Sequence, residues 1–189
     1  LKLSNTFRSV ANLPIADKTV SNYLAYLEDA FLVDKAKRYD VKGKKYLSTP
    51  SKYYFVDLGL RNAALNFRQQ EENHIMENVI YLELLKRGFA VDVGIVETSR
   101  RNEEGKFVRN YAEVDFVANR GNNKFYVQSA FAMDTEAKQL QEKKSLLNIK
   151  DFFKKIIVVK DDIKRKRDEN GIITMSIYDF LLDENSLEY

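Results

Sequence analysis

Two alternating runs of apolar residues, 111–118 and 124–131, meet at Gly121-Asn122, and this pattern constrains the chain more than any other. Alternation at every second position marks a strand with one face turned to a core, and a Gly-Asn pair between two such runs marks a tight hairpin. A hairpin symmetric about Gly121 and Asn122 sets Asp115 opposite Gln128 and Glu113 opposite Ala130. These four side chains then share one face, while Val114 and Phe116 point to the other and enter the core. Oxygen-bearing side chains grouped in this way suit a hard divalent cation such as Mg²⁺. Glu77, on a helix further upstream, is placed to lean toward the same pocket.

The hairpin sits in a regular succession of elements. Residues 73–86 read as an amphipathic helix with Ile75, Met76, Val79, Ile80 and Leu84 on one side, closed by Gly88. Strands are predicted over 90–96, 111–118, 124–131, 155–159 and 172–177, with a helix over 135–148 that buries Leu140, Leu146, Leu147 and Ile149. This order predicts an α/β (α+β) domain, a mixed sheet with helices packed against it. The run Lys164-Arg165-Lys166-Arg167 reads as a solvated loop tip.

Upstream of residue 69 the order changes. A short helix before Pro14 is followed by a second, capped by Asp17 or Thr19, whose apolar positions are Val20, Tyr23, Leu24, Leu27 and Phe31. Residues 35–39 and 53–56 read as the strands of a hairpin, and Asp57 as the N-cap of another helix. Helix, turn, helix and basic hairpin is the order of a winged helix-turn-helix, so two units are expected, 1–68 and 69–189.

Charge divides along the same line. Residues 1–70 carry 12 Lys and Arg against 6 Asp and Glu, and residues 71–189 carry 19 against 22. The basic part is the better surface for a polyanion. Lys35, Lys37, Arg38, Lys42, Lys44 and Lys45 crowd the expected wing, and Lys18, Ser21 and Asn22 lie at the start of the second helix, where recognition helices meet DNA. No cysteine is present, which excludes disulfides and thiolate metal sites and fits an intracellular, cytoplasmic address. The longest apolar runs fall far short of the roughly 20 residues of a membrane span. His74 is the only histidine, so no histidine pair or Ser-His-Asp triad is available, and it reads as a surface or capping residue. The chain begins at Leu1 without a leader, which reads as a piece of a longer protein.

Several segments resemble the C-terminal region of a large group of bacterial and archaeal AAA+-type ATPases. They are Thr19-Val20-Ser21-Asn22-Tyr23-Leu24, Lys52-x-Tyr54-Phe55-x-Asp57-x-Gly59-Leu60-Arg61, Glu77-Asn78-x-x-Tyr81-x-Glu83-Leu84, Glu113-Val114-Asp115-Phe116-Val117 and Phe180-Leu181-Leu182. The resemblance implies a winged helix followed by a domain of unknown function with a restriction-endonuclease-like, PD-(D/E)xK fold. Glu77 matches that family's helix acid and Asp115 its first strand acid. The second strand should supply (D/E)-x-K, but Gln128-Ser129-Ala130 stands there. Gln128 keeps an oxygen for a metal; Ala130 cannot polarise a water, and metal-assisted hydrolysis needs both functions. A lysine displaced to Lys138 or Lys143 would be needed to restore it. No phosphate-loop motif G-x-x-x-x-G-K-[ST] occurs, so ATP enters only through a domain that this sequence lacks.

The expected function is thus a non-catalytic region, binding DNA or protein (a partner, or the ATPase domain), with a degenerate nuclease site and no required cofactor. The alternatives are a Mg²⁺-dependent nuclease with a displaced lysine and a DNA-binding protein like a transcription regulator. Glu113 and Asp115 could also serve structure alone, paired with Arg109 or Arg120.

Overall fold

The computed structural model describes residues 2–68, 71–101 and 105–188. Its centre is a mixed eight-stranded sheet in the order β3-β2-β5-β6-β7-β8-β10-β9. The strands are β2 (Arg38–Asp40), β3 (Lys45–Tyr46), β5 (Ala90–Arg101), β6 (Phe107–Arg120), β7 (Asn123–Ala130), β8 (Lys154–Val159), β9 (Lys166–Arg167) and β10 (Ile173–Ser176). β5, β6 and β7 are antiparallel neighbours, whereas β7, β8 and β10 run parallel.

Side chains alternate across this sheet and make two cores. Phe116, Phe125, Val127, Ile156 and Val158 face α4 (Glu72–Lys86) and α6 (Ile177–Leu182), meeting Met76, Ile80, Leu84 and Phe180. Val117, Tyr126, Ile157 and Val159 face α5 (Glu136–Leu147), meeting Leu146 and Ile149. Each fully buried Leu, Ile or Phe contributes about 1.5–3 kcal/mol. Leu140 is 66% exposed, so α5 buries its C-terminal end and not the whole stripe expected for it.

The hairpin register is the expected one. Phe116 pairs with Val127 and Arg120 with Asn123, with Gly121 at φ 60° in the turn. The expected alternation breaks, however, at a bulge. Ala90–Asp92 pair with 119–117 and Gly94 pairs with Val114, which leaves Asp115 and Phe116 together opposite Val93. The extra residue turns Val114 to the α5 side while Phe116 stays on the α4 side.

The N-terminal part holds α1 (Lys2–Val10), α2 (Asp17–Asp29), β1 (Val33–Ala36), β4 (Lys52–Phe55) and α3 (Leu58–Ala64). Asp57 caps α3 as expected, accepting from the Leu60 N–H at 2.9 Å. Neither Asp17 nor Thr19 caps α2; Ala16 stands at its N-cap without a side-chain bond. Of the expected apolar stripe only Val20 is buried; Tyr23 is exposed, and α2 ends before Phe31, which is exposed at φ 56°. The basic hairpin also differs from a free wing. β1 and β4 pair with each other, but after Ala36 the chain leaves that pair. β2 then runs parallel to β5, with the Val93 N–H donating to the Lys37 carbonyl at 2.8 Å and the Val41 N–H to that of Ile95 at 3.0 Å. The free edge of β5 offers donors and acceptors, and β2 satisfies them. Hydrogen bonds thus cross from residues 38–46 into the large sheet. Lys166–Arg167, expected in a loop, form its far edge, β9, against β10.

Candidate functional site

Three acids and two bases meet where β4, α4 and the bulge of β6 converge. The Lys52 Nζ donates to Glu77 Oε1 at 2.9 Å and to Glu113 Oε1 at 2.7 Å, and lies 3.5 Å from Asp115 Oδ1. Arg38 Nη1 reaches the other oxygen of Glu113 at 2.5 Å. The Tyr54 hydroxyl donates to Glu77 Oε1 at 2.7 Å, and its ring stacks on Tyr81 with centroids 4.1 Å apart. Asp115 accepts from the Ser129 N–H at 2.9 Å, so its carboxylate takes the place of a ladder carbonyl beside the bulge.

Burial sets the electrostatics. Desolvation pushes the Asp115 carboxyl up, the charge of Glu77 pushes it further, and Lys52 and the Ser129 N–H pull it back; the outcome is about 7. For Lys52, burial alone would lower the pKa, but Asp115, Glu77 and Glu113 outweigh it and hold the ammonium above the ordinary lysine value. Lys52 therefore remains a cation and a donor. Desolvation and Glu77 also raise the Tyr54 phenol, which keeps its proton.

Of the pocket expected from the sequence, Glu77, Glu113 and Asp115 come together. Gln128 does not join them: its amide turns to α5, where Nε2 donates to Glu142 Oε2 at 3.2 Å, while its Oε1 accepts only the Asp115 backbone N–H at 3.4 Å. The bulge is the reason, because it swings the Asp115 carboxylate to the α4 side while Gln128 follows the ordinary alternation of β7. Ala130 is buried in the α5-side core. Neither Lys138 nor Lys143 reaches these acids: Lys138 pairs with Asp134 and Lys143 with Asp168. Arg109 and Arg120 do not pair with the site acids either; they reach Glu97 and Glu188. His74 is exposed beside Glu71. Sequence reasoning missed Lys52, Arg38 and Tyr54 as members of this cluster, although Lys52 and Tyr54 stand in one of the segments that carry the family resemblance.

Of the cationic positions expected to meet DNA, Lys18, Lys37, Lys42, Lys44 and Lys45 are exposed, as are Ser21 and Asn22. Lys35 is half-buried on β1, and Arg38 is committed to Glu113. The turn between β2 and β3 thus presents its lysines from the edge of the large sheet.

Residues 4–71 match the model of a domain of unknown function, DUF8612. That span contains Arg38, Lys52 and Tyr54, and stops just before α4, which supplies Glu77. An uncharacterized protein of Haemophilus influenzae is 37% identical over 181 residues, which is 96% of this chain and 41% of that protein. An uncharacterized protein of Methanocaldococcus jannaschii is 30% identical over 151 residues, 80% of this chain and 31% of that protein. The chain spans less than half the length of these curated relatives. No solved structure matches it. Among the described residues, no helix is long and apolar enough to cross a membrane.

Proposed function

We propose that this chain is a non-catalytic binding region of an AAA+-type ATPase-family protein. Its winged-helix-like part contacts DNA or a neighbouring domain, and its restriction-endonuclease-like sheet serves as the scaffold. The observation that carries the reading is the place of Lys52. Its ammonium stands among Glu77, Glu113 and Asp115, so a side chain supplies the positive charge that a nuclease takes from a divalent cation. A cation bound to all three acids would take from Lys52 the carboxylates that now hold it. Exposed apolar side chains on α1, α2 and α3, among them Val10, Tyr23 and Leu60, with Phe31 just after α2, support a protein or domain partner for the N-terminal part. The greater length of the curated relatives agrees with a neighbouring domain, through which alone ATP would enter. A cytoplasmic address goes with this reading.

A second reading has one observation in its favour. Lys52 restores a lysine beside Asp115, the group missing from Gln128-Ser129-Ala130, so a Mg²⁺-dependent nuclease would use Glu77, Asp115 and Lys52. Incubation with supercoiled plasmid and Mg²⁺ or Mn²⁺ separates the two. The binding reading expects no nicking by the wild type or by Lys52→Ala. Divalent-dependent cleavage that disappears in Asp115→Ala would establish the nuclease instead.

A further inference from the structure

The outer parts of β5 and β6 pair only with each other. β2 accompanies β5 at 93–95 and β7 accompanies β6 at 116–120, whereas residues 97–101 and 107–111 form a two-stranded ribbon that no other described strand flanks. Paired residues share a face, so the ribbon register places Glu97, Ser99 and Arg101 on one side with Tyr111, Arg109 and Phe107. Arg101 lies over the Phe107 ring at 4.9 Å. Phe107 is 71% exposed and Tyr111 63%, large rings set in water on a face that also carries two arginines.

This face continues into the lysine-rich turn between β2 and β3. Half-buried Glu97 takes Arg109 at 3.3 Å and Lys42 at 3.5 Å, which fixes the turn at the foot of the ribbon. Residues 37–46 and 97–111 together carry 9 Lys and Arg against 4 Asp and Glu, a balance of +5 in a chain whose net charge is +3. The rest of the chain is therefore net acidic; of the nine basic residues counted here Arg38 is committed to Glu113, and the others include the turn lysines, Arg101 and Arg109.

We propose that this face binds single-stranded nucleic acid, with phosphates on Arg101, Arg109 and the turn lysines and unpaired bases stacked on Phe107 and Tyr111. The proposal rests on the nucleic-acid side of the reading above and names its ligand class. Cations alone would fit duplex and single strand equally. The exposed rings decide for the single strand, because only unpaired bases offer their faces for stacking, an interaction of roughly 1–3 kcal/mol per base.

Fluorescence anisotropy with a labelled oligothymidylate and with a duplex of the same length, each titrated with salt, tests this. The wild type is expected to bind the single strand more tightly, with affinity falling as salt rises. Phe107→Ala with Tyr111→Ala should weaken single-strand binding by about tenfold or more while leaving duplex binding unchanged. Arg101→Ala with Arg109→Ala should weaken both and flatten the salt dependence. These side chains lie outside both cores, and circular dichroism would confirm that the variants fold. Equal or tighter duplex binding, or aromatic variants that bind oligothymidylate like the wild type, would overturn the proposal. If Lys42, Lys44 and Lys45 all changed to Ala abolish binding while the ribbon variants do not, nucleic-acid binding stands and the ribbon platform falls. A wild type that binds neither probe removes both.

Discussion

Lys52 and Asp115 stand 3.5 Å apart, joining the second strand of the small N-terminal sheet to the bulge in the large one. Neither is exposed, and each stabilises the charge of the other in a place that water reaches poorly. The same ammonium binds Glu77 and Glu113, so this one lysine ties β4, α4 and β6 together.

Replacing Lys52 with Met should therefore leave three crowded carboxylates with Arg38 as the remaining cation. Breaking a buried ion group by removing one partner costs about 3 kcal/mol or more. Urea unfolding of Lys52→Met is expected to show a loss of that order, and Lys52→Met with Asp115→Asn should recover part of it. A double variant as unstable as the sum of its parts would mean that the two groups do not interact.

The raised Asp115 carboxyl predicts a pH dependence of definite sign. Its folded value is about 7 against an ordinary 3.8. Below about pH 4 Asp115 is protonated in both states, and the stabilisation it confers there is full. As pH rises toward 7 the unfolded chain releases this proton and the folded chain holds it, so stability falls by up to about 1.4 kcal/mol per pH unit. Asp115→Asn has no such proton. The stability difference, wild type minus Asp115→Asn, should decline between about pH 4 and 7 and level off above. Unfolding curves across that range check it, and a difference that rises with pH would contradict it.

Asn78 should act as a clamp between α4 and the edge of β4. Its Oδ1 accepts from the Phe55 N–H and its Nδ2 donates to the Phe55 carbonyl, both at 2.8 Å, as a neighbouring strand would. Asn78→Leu removes both bonds and is expected to cost about 1–3 kcal/mol. Hydrogen exchange should show the Phe55 amide losing protection before the amides of β6 and β7.

Gly94 has no room for a side chain. A Cβ there would meet Val117 Cγ2 at 2.8 Å and Val114 Cβ at 3.2 Å, two core residues next to the bulge. Gly94→Ala is expected to destabilise by about 1–3 kcal/mol through overpacking, and Val117→Ala placed in the same chain should relieve part of it. Thermal unfolding of Gly94→Ala, Val117→Ala and the double variant measures both effects.

The β6–β7 hairpin was legible because everything that sets it is local: a two-residue turn with Gly121 at positive φ, and alternation on either side. The same holds for α4, whose buried Met76, Ile80 and Leu84 follow helical spacing, and for Asp57, which caps the helix it precedes. The stripe expected of α2 shows the limit of periodicity. Tyr23 and Phe31 recur at the right spacing, yet the described residues do not bury them, because spacing reports what a helix offers and not what covers it.

By itself the sequence determined most of the helices and strands downstream of residue 72, the register of the central hairpin, and the cap of α3. Those properties depend on neighbours within a turn or two of chain. Only the tertiary structure decided that β2 leaves its hairpin for the edge of β5, that the bulge turns the Asp115 carboxylate to the α4 side and away from Gln128, that Glu77 meets Glu113 and Asp115 there, and that Lys52 is the cation among the acids. Each of these results from contacts between segments far apart in sequence, where satisfying a strand edge or a buried charge outweighs local preference.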